Sequence, residues 1–292
     1  MKIRVYNARI FCFKQTDMAN ITAADVNKLR QMTGAGMMDC KKALQETEGD
    51  FEAAVDNLRK KGQKVASKRA DREASEGIVI AKATPSKDFA AVIMVNCETD
   101  FVGKTPEFKD MAHKLLDLIV ENKPKTKEEA AELKFDGYSF AEHLTNMIGK
   151  TGEKMEFAHY EFIEAPNAAA YNHQGNRLAT IVGLNKTGFD HIAHEVAMQI
   201  AAMNPVAIDK DDVDAKTIER EMEIGREQAR QEGKPENMVE KIAEGKLNRF
   251  YKESTLLNQE FIRDSKKTVG QYLTDTDKGL TVTKFFRFML GE

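Results

Sequence analysis

The chain has 292 residues, 41% of them hydrophobic, enough apolar material for two or three packed domains. Its 44 Lys and Arg stand against 47 Asp and Glu, a net charge of −3, which argues against the dominant basic footprint of a nucleic-acid binder. No apolar run nears the roughly 18 residues of a membrane span. Cys12, Cys40 and Cys97 are isolated and odd in number, which points away from a disulfide framework or a Cys-x-x-Cys zinc site and suits a reducing cytoplasm.

Residues 1–17 differ from the rest. They carry Lys2, Arg4, Arg9 and Lys14, and their one apolar cluster, Ile10 to Phe13, is too short for a secretory core. Two readings stand: a basic organellar transit peptide, or, as preferred here, a disordered or mis-assigned leader ahead of a start at Met18. Residues 18–62 read as a three-helix docking domain. Thr22 and Asp25 form a capping-box start, Val26 and Leu29 line one face, and Gly34 supplies the stop. Met37 to Leu44 is the second helix. Asp50 caps the third, with Phe51, Ala54, Val55 and Leu58 on one stripe and Gly62 expected to end it. Residues 63–76 form a charged linker. A basic RNA-binding patch is the sharper reading of this stretch, but it lacks aromatic residues on which bases would stack, so solvated surface is preferred.

From Gly77 the period changes. Gly77 to Thr84 and Phe89 to Val95 read as a hairpin around Pro85 to Asp88. Pro106 to Val120 is an amphipathic helix with Phe108, Met111, Ala112, Leu115, Leu116 and Ile119 inward, Lys123 to Lys134 is helix plus loop, and Tyr138 to Ile148 is a further helix. Lys154 to Ile163 alternates as a strand. Strands follow within Pro166 to Gly175 and over Arg177 to Leu184, then a helix from Asp190 to Met203 stopped by Asn204-Pro205. Two strand–strand–helix passes in succession predict an α+β core of two similar halves, 77–164 and 165–292, in the manner of an internal repeat. Within the second half, residues 212–252 predict an antiparallel helical hairpin broken at Gly233-Lys234-Pro235. Ile218, Met222, Met238, Ile242 and Phe250 make its thin apolar seam, which suggests that it protrudes. Leu256 to Ile262 returns to the core, Thr268 to Leu273 is a short helix, and Leu280 to Leu290 is a Phe-rich closing strand.

Catalytic patterns are absent from the sequence. Gly103-Lys104-Thr105 and Gly149-Lys150-Thr151 resemble the tail of a phosphate-binding loop, but Glu98 and Leu144 stand where its first glycine must be. Gly34-Ala35-Gly36 follows no strand and lacks the third glycine of a dinucleotide fingerprint. His191 and His194 can share a helix face, yet no third ligand stands at a defined spacing. No cofactor, metal or intrinsic nucleotide is therefore expected. The informative stretch is Asn96-Cys97-Glu98-Thr99-Asp100-Phe101-Val102, where a buried strand gives way to polar, turn-forming residues and then at once to Phe101. Phe101 is either a core residue opening the next helix or an exposed aromatic awaiting a pocket on a partner. Spacing alone favours the core residue but does not decide between them.

Met18-Ala-Asn-Ile-Thr22, Thr33-Gly-Ala-Gly-Met-Met-Asp-Cys-Lys-Lys-Ala-Leu44 and Asn96 to Val102 closely resemble the bacterial translation elongation factor Ts family. Lys266-Lys-Thr-Val-Gly270 and the Gly233-Lys-Pro235 break fit it too, and the resemblance spans nearly all of 18–292. It implies a ubiquitin-associated-like three-helix domain, a two-part α+β core with antiparallel sheets, and a protruding helical hairpin. The function it implies is guanine-nucleotide exchange on the GTPase elongation factor Tu, by binding alone and without covalent chemistry. Thr99, Asp100, Phe101 and Val102 would dislodge the partner's magnesium, Phe101 as a wedge and Asp100 beside it. By matching position, Lys41, Arg69, Ile148, Gly149 and His173 would be further partner contacts, Arg69 standing where the family can have lysine. Some members continue into a C-terminal helix that also touches the partner, and that contact is expected to be missing here. The competing readings are a scaffold or adaptor using the three-helix domain alone, and a small-molecule enzyme with a polar pocket between the core halves.

Overall fold

The computed structural model describes residues 21–292; the leader expected over 1–17 lies outside them. The described chain falls into two compact units, one of residues 21–67 with Thr145–Gly152, the other of Lys68–Leu144 with Glu153–Glu292.

In the first unit, α1 (Ala23–Thr33) starts at a complete capping box, with Thr22 and Asp25 each accepting from the other's backbone, and ends on Gly34 in the left-handed region (φ 68°). α2 (Met37–Glu46) and α3 (Phe51–Lys68) complete the bundle, whose core is Val26, Leu29, Cys40, Ala43, Leu44 and Ala54. Asp50 caps α3 by accepting from the Ala53 amide at 3.1 Å. Gly62 does not end α3: the helix runs on to Lys68 and absorbs the first part of the expected linker. The glycine instead permits close packing, because a Cβ there would lie 2.7 Å from the Thr145 carbonyl oxygen.

The second unit holds the sheets. β1 (Glu76–Ala83) and β2 (Phe89–Cys97) form the expected hairpin, and β5 (Met155–Glu164) pairs antiparallel on the other side of β2. Between β2 and β5 lie α4 (Asp100–Gly103), α5 (Pro106–Asn122), α6 (Lys127–Ala131), the two-residue strands β3 (Lys134–Phe135) and β4 (Tyr138–Ser139), and α7 (Phe140–Thr151). The helix expected from Tyr138 therefore starts two residues later. Asp136 and Gly137, both at positive φ (50° and 86°), turn the chain so that Tyr138 pairs with Phe135.

The second pass repeats this connectivity. β6 (Asn167–Asn172) and β7 (Leu178–Leu184) form a hairpin, α8 (Asp190–Met203) covers it, and β10 (Val282–Met289) returns beside β7. The inserted elements are α9 (Ala215–Gln231), α10 (Glu236–Ser254), β8 (Glu260–Phe261), β9 (Asp264–Thr268) and α11 (Val269–Thr276). The sheets share one core: Val79, Ala81, Ala90, Val92, Met94 and Ile163 of the first meet Ala168, Ala179 and Ile181 of the second. On the outer faces lie α5 and α8, so the central strands β2 and β7 are buried on both sides. That is why they read as continuous apolar runs instead of alternating ones. The alternation of β5 changes phase between Phe157 and Tyr160 because a bulge there inserts Ala158.

α9 and α10 form the expected antiparallel hairpin, but its seam is not the expected one. The buried residues are Gly225, Ala229, Val239 and Ala243, while Met238 is exposed and Ile218, Met222, Ile242 and Phe250 are half-buried. Small side chains let the two backbones approach: a Cβ on Gly225 would stand 3.0 Å from the Ala243 Cα.

Candidate functional site

β2 ends at Cys97, which pairs with Glu76 on one side and Met155 on the other. The chain then turns into α4, a single helical turn over Asp100–Gly103. Thr99 is its N-cap: the hydroxyl oxygen accepts from the Val102 amide at 3.4 Å. One turn of helix has little stability of its own, so the turn depends on what surrounds it. Beneath it the Cys97 thiol donates to the Thr99 carbonyl at 3.1 Å. Burial, with the nearby Glu153 charge, pushes that thiol up to about 12 from its ordinary 9.0. Gly77 of β1, at φ 139°, lets the ladder close under the turn, since a Cβ there would strike the Val95 carbonyl oxygen at 2.1 Å.

Two carboxylates brace the turn from opposite directions. Glu153, between α7 and β5, accepts from the Thr99 amide at 3.1 Å and from the Thr99 hydroxyl at 2.7 Å. Glu98, in the turn, accepts from the Lys154 amide at 2.6 Å and from the Arg69 guanidinium at 2.9 and 3.0 Å. The Lys154 amide and then Arg69 hold the Glu98 carboxyl below the usual carboxylate range.

Val102 and Gly103 are buried by this arrangement, and Phe101 is directed outward with 82% of its surface exposed. The core reading of Phe101, which spacing favours, is overturned: the side chain is exposed. Asp100 lies beside it, its carboxyl lowered chiefly by the hydrogen bond from Lys104, 2.5 Å away.

His173 is exposed in the β6–β7 turn, where Gly175 and Asn176 take positive φ, and its Nδ1 stands 3.0 Å from the Tyr171 hydroxyl. This turn sits at the same end of the unit as Phe101. The Asn176 carbonyl accepts from the Val79 amide at 2.8 Å, and Arg177 pairs with Glu76, the ladder partner of Cys97.

The other expected contacts are placed differently. Arg69 lies just beyond α3 and is engaged with Glu98. Lys41 is exposed on α2 of the first unit. Ile148 is buried, and a Cβ on Gly149 would come within 3.1 Å of the Gly62 Cα in the same unit. The sequence did not single out Cys97, Glu98, Glu153 or Lys154 as supports. Glu98 and Cys97 fall inside the motif, whereas Glu153 contacts a residue 54 positions away and carries no local signal.

A cleft of about 240 Å³ lies between β1 and β6, with Lys82, Lys87, Asn167, Asn172, Asp190 and His194 among its lining residues. Several of its polar groups are already paired: Lys82 with Asp117, Asn167 with Asp190, and Asn172 with both backbone groups of Ala81. Among the described residues no group of three or more His, Cys, Asp or Glu is placed to hold a metal ion, and no helix is long and apolar enough to cross a membrane.

Residues 98–292 match the family model described as Elongation factor TS. A protein of Cytophaga hutchinsonii named Elongation factor Ts is 51% identical over 94% of this chain and 100% of its own length. Proteins of the same name from Porphyromonas gingivalis, 50% identical over 93% of this chain and 98% of theirs, and from a Hydrogenobaculum species, 45% identical over 93% and 99%, are similar to it as well. On this likeness the chain belongs to the elongation factor Ts family, the translation elongation factors of that name.

Proposed function

We propose that this chain is a guanine-nucleotide exchange factor for the GTPase elongation factor Tu, acting in the cytoplasm during protein synthesis. The observation that carries the reading is Phe101, an aromatic side chain 82% exposed on a turn anchored just before it at Glu98 and Thr99. An exposed large aromatic on a rigid support is suited to fill a pocket on another protein, where such residues dominate binding energy. Asp100 beside it brings a negative charge to the same surface. In the partner, a bound magnesium ion holds the nucleotide phosphates, and displacing its ligands loosens them. Phe101 is the wedge in this reading and Asp100 the group that disturbs the magnesium site, with Thr99 and Val102 holding both in place. Lys41, Arg69 and His173 add contacts on the two units. Ile148 and Gly149, near the end of α7, add a further contact. The chain supplies no covalent chemistry and holds no nucleotide. It speeds release by binding the nucleotide-free partner more tightly than the loaded one.

Stopped-flow release of a fluorescent GDP analogue from elongation factor Tu, at fixed magnesium, tests this. The whole chain should accelerate release strongly. Phe101→Ala should lose about 2 kcal/mol of transition-state stabilisation, about thirtyfold in rate, with the fold intact. A folded wild-type chain that leaves release unchanged would overturn the assignment. A folded Phe101→Ala variant with full activity would remove the wedge and favour the adaptor reading, in which the three-helix unit alone suffices.

A further inference from the structure

We infer that Glu153 is a positioning residue for the Phe101 wedge, acting through the hydroxyl of Thr99; this rests on the exchange reading above. The argument begins with the valence of one oxygen. The Thr99 hydroxyl has a single proton, which it gives to Glu153 Oε1 at 2.7 Å, leaving its lone pairs for the Val102 amide at 3.4 Å. Glu153 therefore sets the rotor, and the rotor sets the cap of α4. Because α4 is one turn long, the cap is a large part of what holds it. The second Glu153 oxygen takes the Thr99 amide at 3.1 Å, so one carboxylate holds both the backbone and the side chain of the capping residue.

The bracing is reciprocal. Glu98 and Thr99 face Glu153 and Lys154, and each pair supplies one carboxylate to a backbone amide of the other. Arg69 neutralises the Glu98 side of the clamp. Two adjacent residues thus exchange charge-assisted hydrogen bonds with two residues far along the chain, and Phe101 follows two positions after the joint. A wedge held in this way enters its pocket without first being ordered, which is where an exchange factor gains rate.

The test uses the full chain with Glu153→Ala, Glu153→Gln, Phe101→Ala and the double variant Glu153→Ala/Phe101→Ala. Amide hydrogen exchange at Thr99 and Val102 should rise about tenfold or more in Glu153→Ala and less in Glu153→Gln, which keeps one acceptor oxygen. In GDP release from elongation factor Tu, Glu153→Ala should lower the maximal rate about tenfold while the half-saturating concentration moves less than about threefold. In the Phe101→Ala background the same change should cost clearly less than in the wild type, because a wedge already removed cannot be mispositioned and only Asp100 on the same turn is left to be disturbed. A purely structural role would instead add its loss to that of Phe101→Ala. Unchanged protection of Thr99 and Val102 in folded Glu153→Ala, or additive losses, would overturn the inference. If Glu153→Ala fails to fold, Glu153→Gln carries both measurements. A wild-type chain that does not speed release would overturn the exchange reading, and hydrogen exchange would still decide the clamp.

Discussion

The Cys97 thiol lies under the turn, fully buried, and donates to the Thr99 carbonyl. Burial and the Glu153 charge favour its protonated form, up to about 12 against an ordinary 9.0. Below pH 9 folded and unfolded chains both hold the proton, so the thiol gives no pH dependence there. Above it the unfolded chain ionises while the folded chain does not, and stability falls as pH rises toward about 12, by at most about 1.4 kcal/mol per pH unit. Urea midpoints measured across that window should decline in the wild type, and Cys97→Ala should lack this component. Equal slopes in the two proteins would show that the thiol does not titrate as argued. At this scale the sequence carried the motif but not its supports. Thr99 reads as a cap because its chemistry is local. Glu153 does not, because its partner is brought to it only by the pairing of β5 with β2. Phe101 stayed open because exposure depends on what the turn packs against, which spacing does not encode.

Elements with local signals were legible: the capping box of α1, the Asn204 stop of α8 at φ 44°, and the β1–β2 hairpin. Glycine was the ambiguous letter. Gly34 ends a helix by taking positive φ, whereas Gly62 sits inside one to admit a neighbouring backbone, and sequence gives the same symbol for both. The Asp136-Gly137 turn carried a hairpin signal that the stronger helical pattern after it concealed. The α9–α10 seam was misread for a related reason. Large apolar residues were sought, yet Gly225, Ala229 and Ala243 do the packing, and Arg226 binds Glu219, Glu223 and Glu240 alongside them. Ala243→Leu should force the arms apart and cost about 1–3 kcal/mol of hairpin stability. It should appear as faster amide exchange in α9 and α10 with unchanged protection in β2 and β7. Unaltered exchange in the hairpin would mean that the seam has room to spare.

For the whole molecule, exchange activity is a statement about two affinities. If this chain weakens GDP binding to elongation factor Tu by some factor, GDP must weaken the chain's binding by that same factor. Calorimetric titration of the chain into nucleotide-free and GDP-loaded partner, with GDP titrations with and without the chain, should give equal ratios. Equal affinity for both partner states would rule out exchange by this route. The α+β core that presents Phe101 and His173 was legible as two strand–strand–helix passes, and the structure closes each with a third strand beside its second. The strands themselves were legible in the sequence, but the placement of both tips at one end depended on the long-range Glu76–Arg177 and Val79–Asn176 links.

The long excursion in the second pass leaves and re-enters the core at one place. The Val206 amide donates to Ser254, and the Leu256 and Leu257 amides donate to Ala207 and Ile208, at 2.8 to 2.9 Å. Buried Gln259 ties the same junction by donating to the carbonyls of Met203 and Glu253. With its two feet sewn together, the excursion bears only a small cost for added length, about 0.6 kcal/mol for each doubling. The helical arms can therefore be lengthened, shortened or re-charged at little cost to the register of the β7–β10 pairing.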